Sequence, residues 1–336
     1  MAESFSSLRD DRILSCSSPG CQDNLTHMYE RGCAPPSSGG TTSSAIGPAN
    51  LVSSELHRAR ANAPAQDRLA RAEALAGQRS LYESGPAEER IDRNSRPVIS
   101  IIAPVFNEEL VVQPFVEEVC RVMETSGLSF ELVCVDDCST DRSLSILQNL
   151  RERFPRLRVP SLRRHGGQTA ALAAGVRLAR GQFIALIDAD MQNDPEDIPA
   201  MLDILRADPE LVCVAGVRAI RKDTWLRRIS SRIANAVAEM ITGDAVTDAG
   251  CGLKLCRAEA LKVVPFFRGA HRFLPTLIRM RGGAVVERRV NHRPRSAGQS
   301  KYGNGLSRTF VALADALGVR WLKSRAIRAE IDTAEG

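Results

Sequence analysis

The stretch Phe183–Asp190, FIALIDAD, is an apolar run that ends at two carboxylates, Asp188 and Asp190, separated by one small residue. The apolar part predicts a buried strand, and side chains alternate along a strand, so carboxylates at i and i+2 leave it on the same side. Two hard oxygen ligands can hold Mg²⁺ or Mn²⁺, which usually fill their other positions with water and substrate phosphate. The stretch therefore predicts a sheet strand followed by a metal site for a phosphorylated ligand.

Two other interpretations of this stretch stay open. The carboxylates could form a solvated strand end that leads into a helix cap, since Asp194-Pro195-Glu196 has the composition of a helix start. A calcium loop is disfavoured, because Asn193 stands where such a loop requires glycine at its sixth position.

On both sides of this stretch, from Pro97 onward, short β-rich runs alternate with helical runs, which predicts a mainly parallel α/β sheet flanked by helices. Ligands of such sheets bind beyond the carboxyl ends of the strands, so PVFNEE, DDCSTD and DADMQND should converge on one cleft. The expected strands are VISIIAPV, FELVCVDD, RVPSLRR, FIALIDAD and LVCVAGV, and the expected helices cover residues 111–125, 142–154, 169–180 and 196–207.

Two familiar phosphate-binding loops do not occur in the sequence. No G-x-G-x-x-G follows the first strand and no G-x-x-x-x-G-K-[ST] is found, so neither a Rossmann dinucleotide site nor a P-loop is supported. Gly166-Gly167 precedes Gln168, and a tight turn that caps the next helix is preferred there to a phosphate loop.

The composition limits the class of protein. The chain has 336 residues, of which 43% are hydrophobic and 25% charged, as in globular proteins, and aromatic residues at 4% are too few for nucleic-acid stacking platforms. Nine cysteines without a C-x-x-C pair indicate reduced thiols in a cytoplasmic protein. No signal peptide is visible and no stretch reaches the roughly 18 apolar residues of a membrane span, so any membrane contact is expected to be peripheral.

We expect three segments along the chain. Residues 1–95 are rich in Ser, Gly, Pro, Ala and Arg and are expected to be a mostly disordered extension, although residues 54–82 carry a thin apolar stripe that could form a helix. Residues 96–324 hold the α/β domain, and residues 325–336 form a C-terminal tail.

Eight pieces of the sequence, between about residues 97 and 324, resemble the family 2 glycosyltransferases with a GT-A fold, and among them the dolichol- and polyprenyl-phosphate sugar transferases. The pieces are PVFNEE, VDDCSTD, GGQTAALAAG, GQFIALIDADMQNDPEDIP, SRIAN, DAGCGLKLCR, HRFLP and HRPRSAGQSKYG. The resemblance implies that a hexose is transferred with inversion from a GDP- or UDP-sugar to a polyprenyl or dolichyl phosphate at the cytoplasmic membrane face. Two alternatives remain: a transferase of the same fold with a soluble or polysaccharide acceptor, and a non-catalytic nucleotide-sugar-binding protein.

The resemblance also implies roles for individual residues. The nucleotide would contact Pro104, Phe106, Glu108, Asp136, Asp137 and Asp188, where carboxylates accept hydrogen bonds from base and ribose. Metal ligands would be Asp188, Asp190 and Gln192. Phosphate groups would be bound by Arg218, Arg232, Arg295, Ser300 and Lys301, with Arg293 and Tyr302 as further candidates. Catalysis would depend on Asp190 and on Asp248, which matches the position of the acid that faces the acceptor.

Plainer interpretations of some of these residues stay open, and the sequence departs from the family pattern at three places. Asp248 could simply form a turn before Ala249-Gly250, and the arginines between residues 218 and 232 could line a solvated helix face. Phe106 replaces a frequent tyrosine and Cys138 replaces the glycine of the DDGS motif. The chain ends soon after Trp321, where many relatives continue into transmembrane helices, and residues 306–328 could be an interfacial helix or one that packs on the sheet.

Overall fold

The computed structural model describes residues 64–82, 96–218, 243–244, 246–294 and 305–326. In this part of the chain, seven strands form one sheet in the order β3-β2-β1-β4-β6-β5-β7. They are β1 (Ile99–Val105), β2 (Phe130–Asp136), β3 (Leu157–Arg158), β4 (Phe183–Leu186), β5 (Leu211–Arg218), β6 (Lys254–Arg257) and β7 (Ala284–Val290).

Most neighbouring strands are parallel. The parallel pairs are β1 with β2, β1 with β4, β2 with β3, and β5 with β7, whereas β6 runs antiparallel between β4 and β5. The mainly parallel α/β sheet expected from the sequence is therefore confirmed. Because β1 lies between β2 and β4, the carboxyl ends of these three strands meet at one edge of the sheet.

Helices cover the two faces of the sheet. They are α1 (Ala65–Tyr82), α2 (Val112–Thr125), α3 (Ser143–Arg153), α4 (Gln168–Leu178), α5 (Asp197–Ala207), α6 (Ala258–Lys262), a 3-10 helix (Ala270–Arg272), α7 (Leu274–Met280) and α8 (Gly305–Ser324). Alternate residues of β1 point to opposite faces, so Ile101 packs in one apolar cluster with α2, α3 and α5, while Ile102 packs in a second cluster with α4, α7 and α8.

Three differences between the predicted and the observed strands matter for the site. Of the run RVPSLRR only Arg158 belongs to β3, since Pro160 cannot donate a ladder hydrogen bond. In FIALIDAD the strand stops at Leu186, so Asp188 and Asp190 lie in the loop that follows it. Strands β6 and β7 were not among the expected strands, and β6 is the neighbour of β4 on the side away from β1.

Helix α1 lies within the segment expected to be mostly disordered. Its Ala72 is 1% exposed, and the guanidinium of Arg68 contacts Asp208 Oδ2 at 3.3 Å and Glu210 Oε2 at 2.6 Å just beyond α5. Residues 1–63 and 83–95 lie outside the described residues, so the disorder expected for them stays a prediction. The helix that the apolar stripe allowed is present, and it packs on the α/β domain through these contacts.

Two further expectations can be compared with the described residues. Six cysteines there are free thiols, and all but Cys138 are buried, in line with core thiols. None of the described helices combines the length and the apolar character needed to cross a membrane.

Candidate active site

A cavity of about 260 Å³ lies beyond the carboxyl ends of β1, β2 and β4. The loops that follow these strands line it together with the start of α4, which is where a sheet of this topology binds ligands. The lining residues are Pro104, Val105, Phe106, Glu108, Asp137, His165, Gly167, Gln168, Asp188, Ala189 and Asp190. The structure thus brings together six of the sequence-predicted residues, Pro104, Phe106, Glu108, Asp137, Asp188 and Asp190.

Each of the three strand-end loops contains a residue with a left-handed backbone. Asn107 has φ 53° after β1, Cys138 has φ 59° after β2, and Met191 has φ 63° after β4. Side chains other than glycine rarely adopt such angles, and residues that do so cluster at ligand sites where the surrounding structure holds them. Cys138 occupies the usual glycine position, and its thiol donates to the carbonyl of Leu162 at 2.8 Å.

The carboxylate of Asp188 is held from the side by α4. Gln168, the first residue of that helix, donates from Nε2 to Asp188 Oδ1 at 2.7 Å. Burial and the nearby charge of Asp190 raise the pKa of Asp188 to about 6, although Lys254 and the Gln168 hydrogen bond act in the opposite direction. Two adjacent carboxylates that repel each other create a place where a cation is favourable.

The loop before β6 closes against the other side of Asp188. A Cβ atom added to Gly252 would lie 2.6 Å from Cγ of Asp188 and closer still to its Oδ2, so only glycine fits at this position. Lys254, at the start of β6, is buried and its ammonium donates to the carbonyl of Cys251 in the same loop. The antiparallel insertion of β6 beside β4 is therefore what positions this loop on the predicted metal ligand.

The side chains present fit a divalent cation. Asp188 and Asp190 supply carboxylate oxygens, the donors that Mg²⁺ and Mn²⁺ prefer, and both line a cavity with room for a diphosphate and water. Within the described ranges no group of three or more His, Cys, Asp and Glu residues could hold a metal ion. The backbone N–H of Gln192 donates to Asp190 Oδ1 at 3.2 Å, which fixes the turn that carries both residues.

Asp137 organises the cavity wall, and Asp136 lies behind it. The carboxylate of Asp137 accepts hydrogen bonds from the N–H groups of Gly166 at 2.7 Å and Gly167 at 2.8 Å. Gly167, with φ 81°, precedes α4, so the glycine pair forms the tight turn expected from the sequence and its N–H groups bind Asp137. Asp136 is 1% exposed and accepts from Ser161 Oγ at 2.9 Å, so it supports the loops and does not line the cavity.

Phe106 faces a residue that the sequence-based reasoning missed. The rings of Phe106 and His165 lie with centroids 4.3 Å apart and an interplanar angle of 34°. His165 Nδ1 lies 3.0 Å from Asp137 Oδ2, which holds the imidazole over Phe106. This pair forms an aromatic wall of the cavity, where the flat face of a nucleobase can pack. The only sequence signal for His165 is its position directly before Gly166.

Asp248 and Arg218 form a two-pronged ion pair. Arg218 Nε lies 2.7 Å from Asp248 Oδ2, and Arg218 Nη2 donates to Asp248 Oδ1 at 2.8 Å. Asp248 is 3% exposed, and the Arg218 backbone N–H also donates to Oδ2 at 3.2 Å. The predicted phosphate ligand and the predicted acceptor-facing acid are therefore partners of each other, so either role in the reaction requires this pair to rearrange.

Four of the predicted phosphate-binding residues, Arg232, Arg295, Ser300 and Lys301, lie outside the described residues, as does Tyr302, and their roles stay predictions. Three residues at the site had not been predicted from the sequence as ligands or supports, namely His165, Gln168 and Gly252. Gln168 and Gly252 each fall within one of the quoted sequence pieces, but no sequence pattern shows that both lie against Asp188.

A family model described as "Glycosyl transferase family 2" matches residues 100–265. Dodecaprenyl-phosphate galacturonate synthase of Rhizobium johnstonii is 42% identical over 228 residues, which cover 66% of each chain. Undecaprenyl-phosphate 4-deoxy-4-formamido-L-arabinose transferase of Edwardsiella ictaluri is 34% identical over 207 residues, covering 61% of this chain and 63% of the relative. The chain thus spans slightly less than two thirds of the length of these curated relatives.

Two solved structures are similar in fold. A mannosyltransferase from Pyrobaculum calidifontis, in complex with GDP-Man and Mn²⁺, has a TM-score of 0.50 at 19% identity and covers 81% of this chain and 77% of its own. Mannosyl-3-phosphoglycerate synthase from Rubrobacter xylanophilus has a TM-score of 0.53 at 17% identity and covers 76% of this chain and 80% of its own. At these identities the likeness concerns the fold alone.

Proposed function

The chain carries a glycosyltransferase family 2 domain over residues 100–265, and from this premise we propose that it is an inverting, metal-dependent hexosyltransferase. Its donor is a GDP- or UDP-sugar and its acceptor is a polyprenyl or dolichyl phosphate. The observation that supports this most is the cavity at the strand ends, which places an aromatic wall, Phe106 with His165, in the same space as Asp188 and Asp190. The aromatic wall suits a nucleobase, and the two carboxylates suit a cation bound to a diphosphate, so together they suit a metal-bound nucleotide-sugar.

The donor would lie across the strand ends. The nucleobase packs near Phe106 and His165, with Pro104 and Glu108 beside it in the cavity lining. Asp188 and Asp190, with Gln192, would hold a divalent cation, which supplies positive charge for the diphosphate as it leaves. Gln168 and Gly252 keep the carboxylate of Asp188 turned toward this point.

The residues that would bind the acceptor are proposed on the basis of their charge. A phosphate acceptor is already an anion, so it needs orientation by cations more than it needs a strong base. Arg218 is a predicted phosphate ligand that lies among the described residues, and its partner Asp248 would turn from the guanidinium toward the acceptor once phosphate binds Arg218. The names of the two curated relatives, a dodecaprenyl-phosphate synthase and an undecaprenyl-phosphate transferase, support a lipid phosphate as acceptor over a soluble sugar.

Helix α8 offers a surface for peripheral contact with the cytoplasmic face of a membrane. Its Ala316 and Val319 are buried in the apolar cluster beneath it, whereas Leu313, Leu317 and Trp321 are exposed by 38%, 53% and 61%. Residues at i, i+4 and i+8 form one stripe along a helix, and such a stripe with tryptophan at its end suits the interface of a bilayer. This surface would bring the enzyme to its lipid acceptor.

The test is a transfer assay with the purified chain, a labelled GDP- or UDP-sugar, Mn²⁺ and a polyprenyl phosphate in detergent. A labelled product that partitions into chloroform is the expected result. Label that enters only water-soluble products would favour the soluble-acceptor alternative, and nucleotide binding without any turnover would favour the non-catalytic one. Asp190→Ala serves as the control variant and is expected to abolish the chloroform-soluble product without unfolding the protein.

A further inference from the structure

Three residues after β7, residues 291–293, lie against the segment that carries the predicted metal ligands, residues 188–194, which is called the metal segment below. The backbone N–H of Arg293 donates to the carbonyl of Gln192 at 2.8 Å, and Asn193 and His292 form an antiparallel bridge. Asn291 adds two bonds, from its N–H to Asp197 Oδ2 at 2.7 Å and from Nδ2 to Asp194 Oδ2 at 2.8 Å. This strip of three residues therefore lies alongside the chain that follows Asp190.

The side chain of Arg293 joins this strip to two carboxylates on other elements. Its Nη1 lies 2.7 Å from Glu118 Oε1 on α2, and its Nη2 lies 2.7 Å from Asp194 Oδ1. The side chains of Glu118 and Asp194 are only 16% and 9% exposed. Burial tends to lower the pKa of Arg293, but the hydrogen bonds that its guanidinium donates to both carboxylates outweigh this effect and raise the pKa. One guanidinium in a fork geometry therefore connects α2, the metal segment and the end of β7.

This arrangement argues against Arg293 as a phosphate ligand. The guanidinium directs a nitrogen at each carboxylate, and the three side chains together carry one positive and two negative charges. A phosphate brought to this group would meet an excess of negative charge, and it would have to displace hydrogen bonds that are already formed in a partly buried place.

We propose that Arg293 is a positioning residue that sets the start of the acceptor-binding segment against the metal segment, an inference that rests on the proposed function. Arg295 follows Arg293 by two residues, a reach of at most about 7 Å along an extended chain. Fixing Arg293 to Gln192 and Asp194 therefore limits how far the first predicted acceptor ligand can move from the carboxylates that hold the donor. The ion pairs would thus hold the acceptor ligand at a limited distance from the donor site without contacting either substrate.

The test uses Arg293→Met, which keeps the aliphatic stem and removes both ion pairs, and Arg293→Lys, which keeps the charge but loses the fork. A matched control is Arg121→Met, which breaks the exposed Arg121–Glu196 pair on the same face of the molecule, where both side chains are about 60% exposed. Two readouts are needed: hydrogen exchange of the peptide that contains residues 291–294, and the kinetics of transfer measured separately for donor and acceptor.

Arg293→Met is expected to speed exchange in that peptide and to raise the acceptor KM about tenfold or more, while metal-dependent nucleotide binding stays within about twofold of wild type. Arg293→Lys should recover part of both effects and remains informative should the methionine variant not fold, and Arg121→Met should show neither effect. Unchanged exchange in Arg293→Met overturns the inference whatever the activity. Faster exchange with an unchanged acceptor KM overturns it as well, since Arg293 would then only stabilise the fold. A wild-type chain that binds nucleotide but makes no lipid product contradicts the proposed function instead, and leaves Arg293 with a structural role only.

Discussion

Gly252→Ala is expected to damage the active site while it leaves the rest of the fold intact. The added methyl would lie 2.6 Å from Cγ of Asp188, whereas carbon atoms in good contact are about 3.5 Å or more apart, so the carboxyl group must move away by about 0.9 Å. Asn193 Nδ2 lies 3.0 Å from the same point and restricts the alternative of moving the loop. A displacement of about 1 Å in a catalytic group can lower turnover about 100-fold. Overpacking at one site costs about 1–3 kcal/mol, so the variant should still fold.

The assay compares transfer rate, Mn²⁺-dependent nucleotide binding and thermal unfolding in Gly252→Ala and in Gly77→Ala. Gly77 lies on the exposed side of α1 and an added Cβ meets no atom within 4 Å, so the same chemical change there should leave activity unchanged and slightly stabilise the helix. Wild-type nucleotide binding and turnover in Gly252→Ala would contradict this prediction, because Asp188 would then tolerate displacement or would not hold the donor.

Three other predictions concern single side chains. Gln168→Ala removes the hydrogen bond to Asp188 and should weaken the apparent Mn²⁺ affinity about tenfold in a metal titration of nucleotide binding; a loss smaller than twofold would contradict this supporting role. Glu131→Gln should destabilise the protein by about 2 kcal/mol in urea at pH 7, because the buried carboxylate accepts from Ser100 at 2.6 Å and from Arg158 at 2.8 Å. Burial alone would raise the pKa of Glu131, but these hydrogen bonds and that of the Arg180 N–H hold it below its usual value. The stability that Glu131 provides is therefore present above its unfolded pKa of about 4.3 and is lost as the pH falls through the folded pKa, so the difference between variant and wild type should shrink in acid. Asp248→Asn should lower the single-turnover rate about 100-fold or more, whereas Arg218→Lys, which keeps the charge beside Asp248, should lower it less. Equal losses in the two variants would indicate that Asp248 acts only as the ion-pair partner of Arg218 and has no catalytic role of its own.

The parts of the site that follow from local sequence could be predicted. The pattern of FIALIDAD predicts a strand and the two carboxylates that follow it. The alternation of strands and helices places three loops at one edge of the sheet. The strand ends at Leu186, four residues before the end of the expected run, which moves Asp188 and Asp190 into a turn with a left-handed residue, Met191. Periodicity cannot show such a turn, because it records the spacing of apolar residues and not backbone angles.

The parts that depend on distant pairing could not be predicted. Gly252 reaches Asp188 because β6 inserts antiparallel beside β4, across more than sixty residues of chain. Arg218 at the end of β5 meets Asp248 in the loop before β6, whereas the resemblance had implied two separate roles for them, a phosphate ligand and an acceptor-facing acid. A single sequence reports which groups can carry charge, but the partner that neutralises each of them is set by the topology of the sheet.

The proposal that Asp188 and Asp190 hold a metal-bound nucleotide is tested by calorimetric titration with GDP and with UDP, each with and without Mn²⁺. One nucleotide is expected to bind only when Mn²⁺ is present, and Asp190→Ala is expected to lose this binding while its thermal unfolding stays close to that of wild type. Nucleotide binding that is equally strong without metal, or that persists in Asp190→Ala, would contradict the proposal.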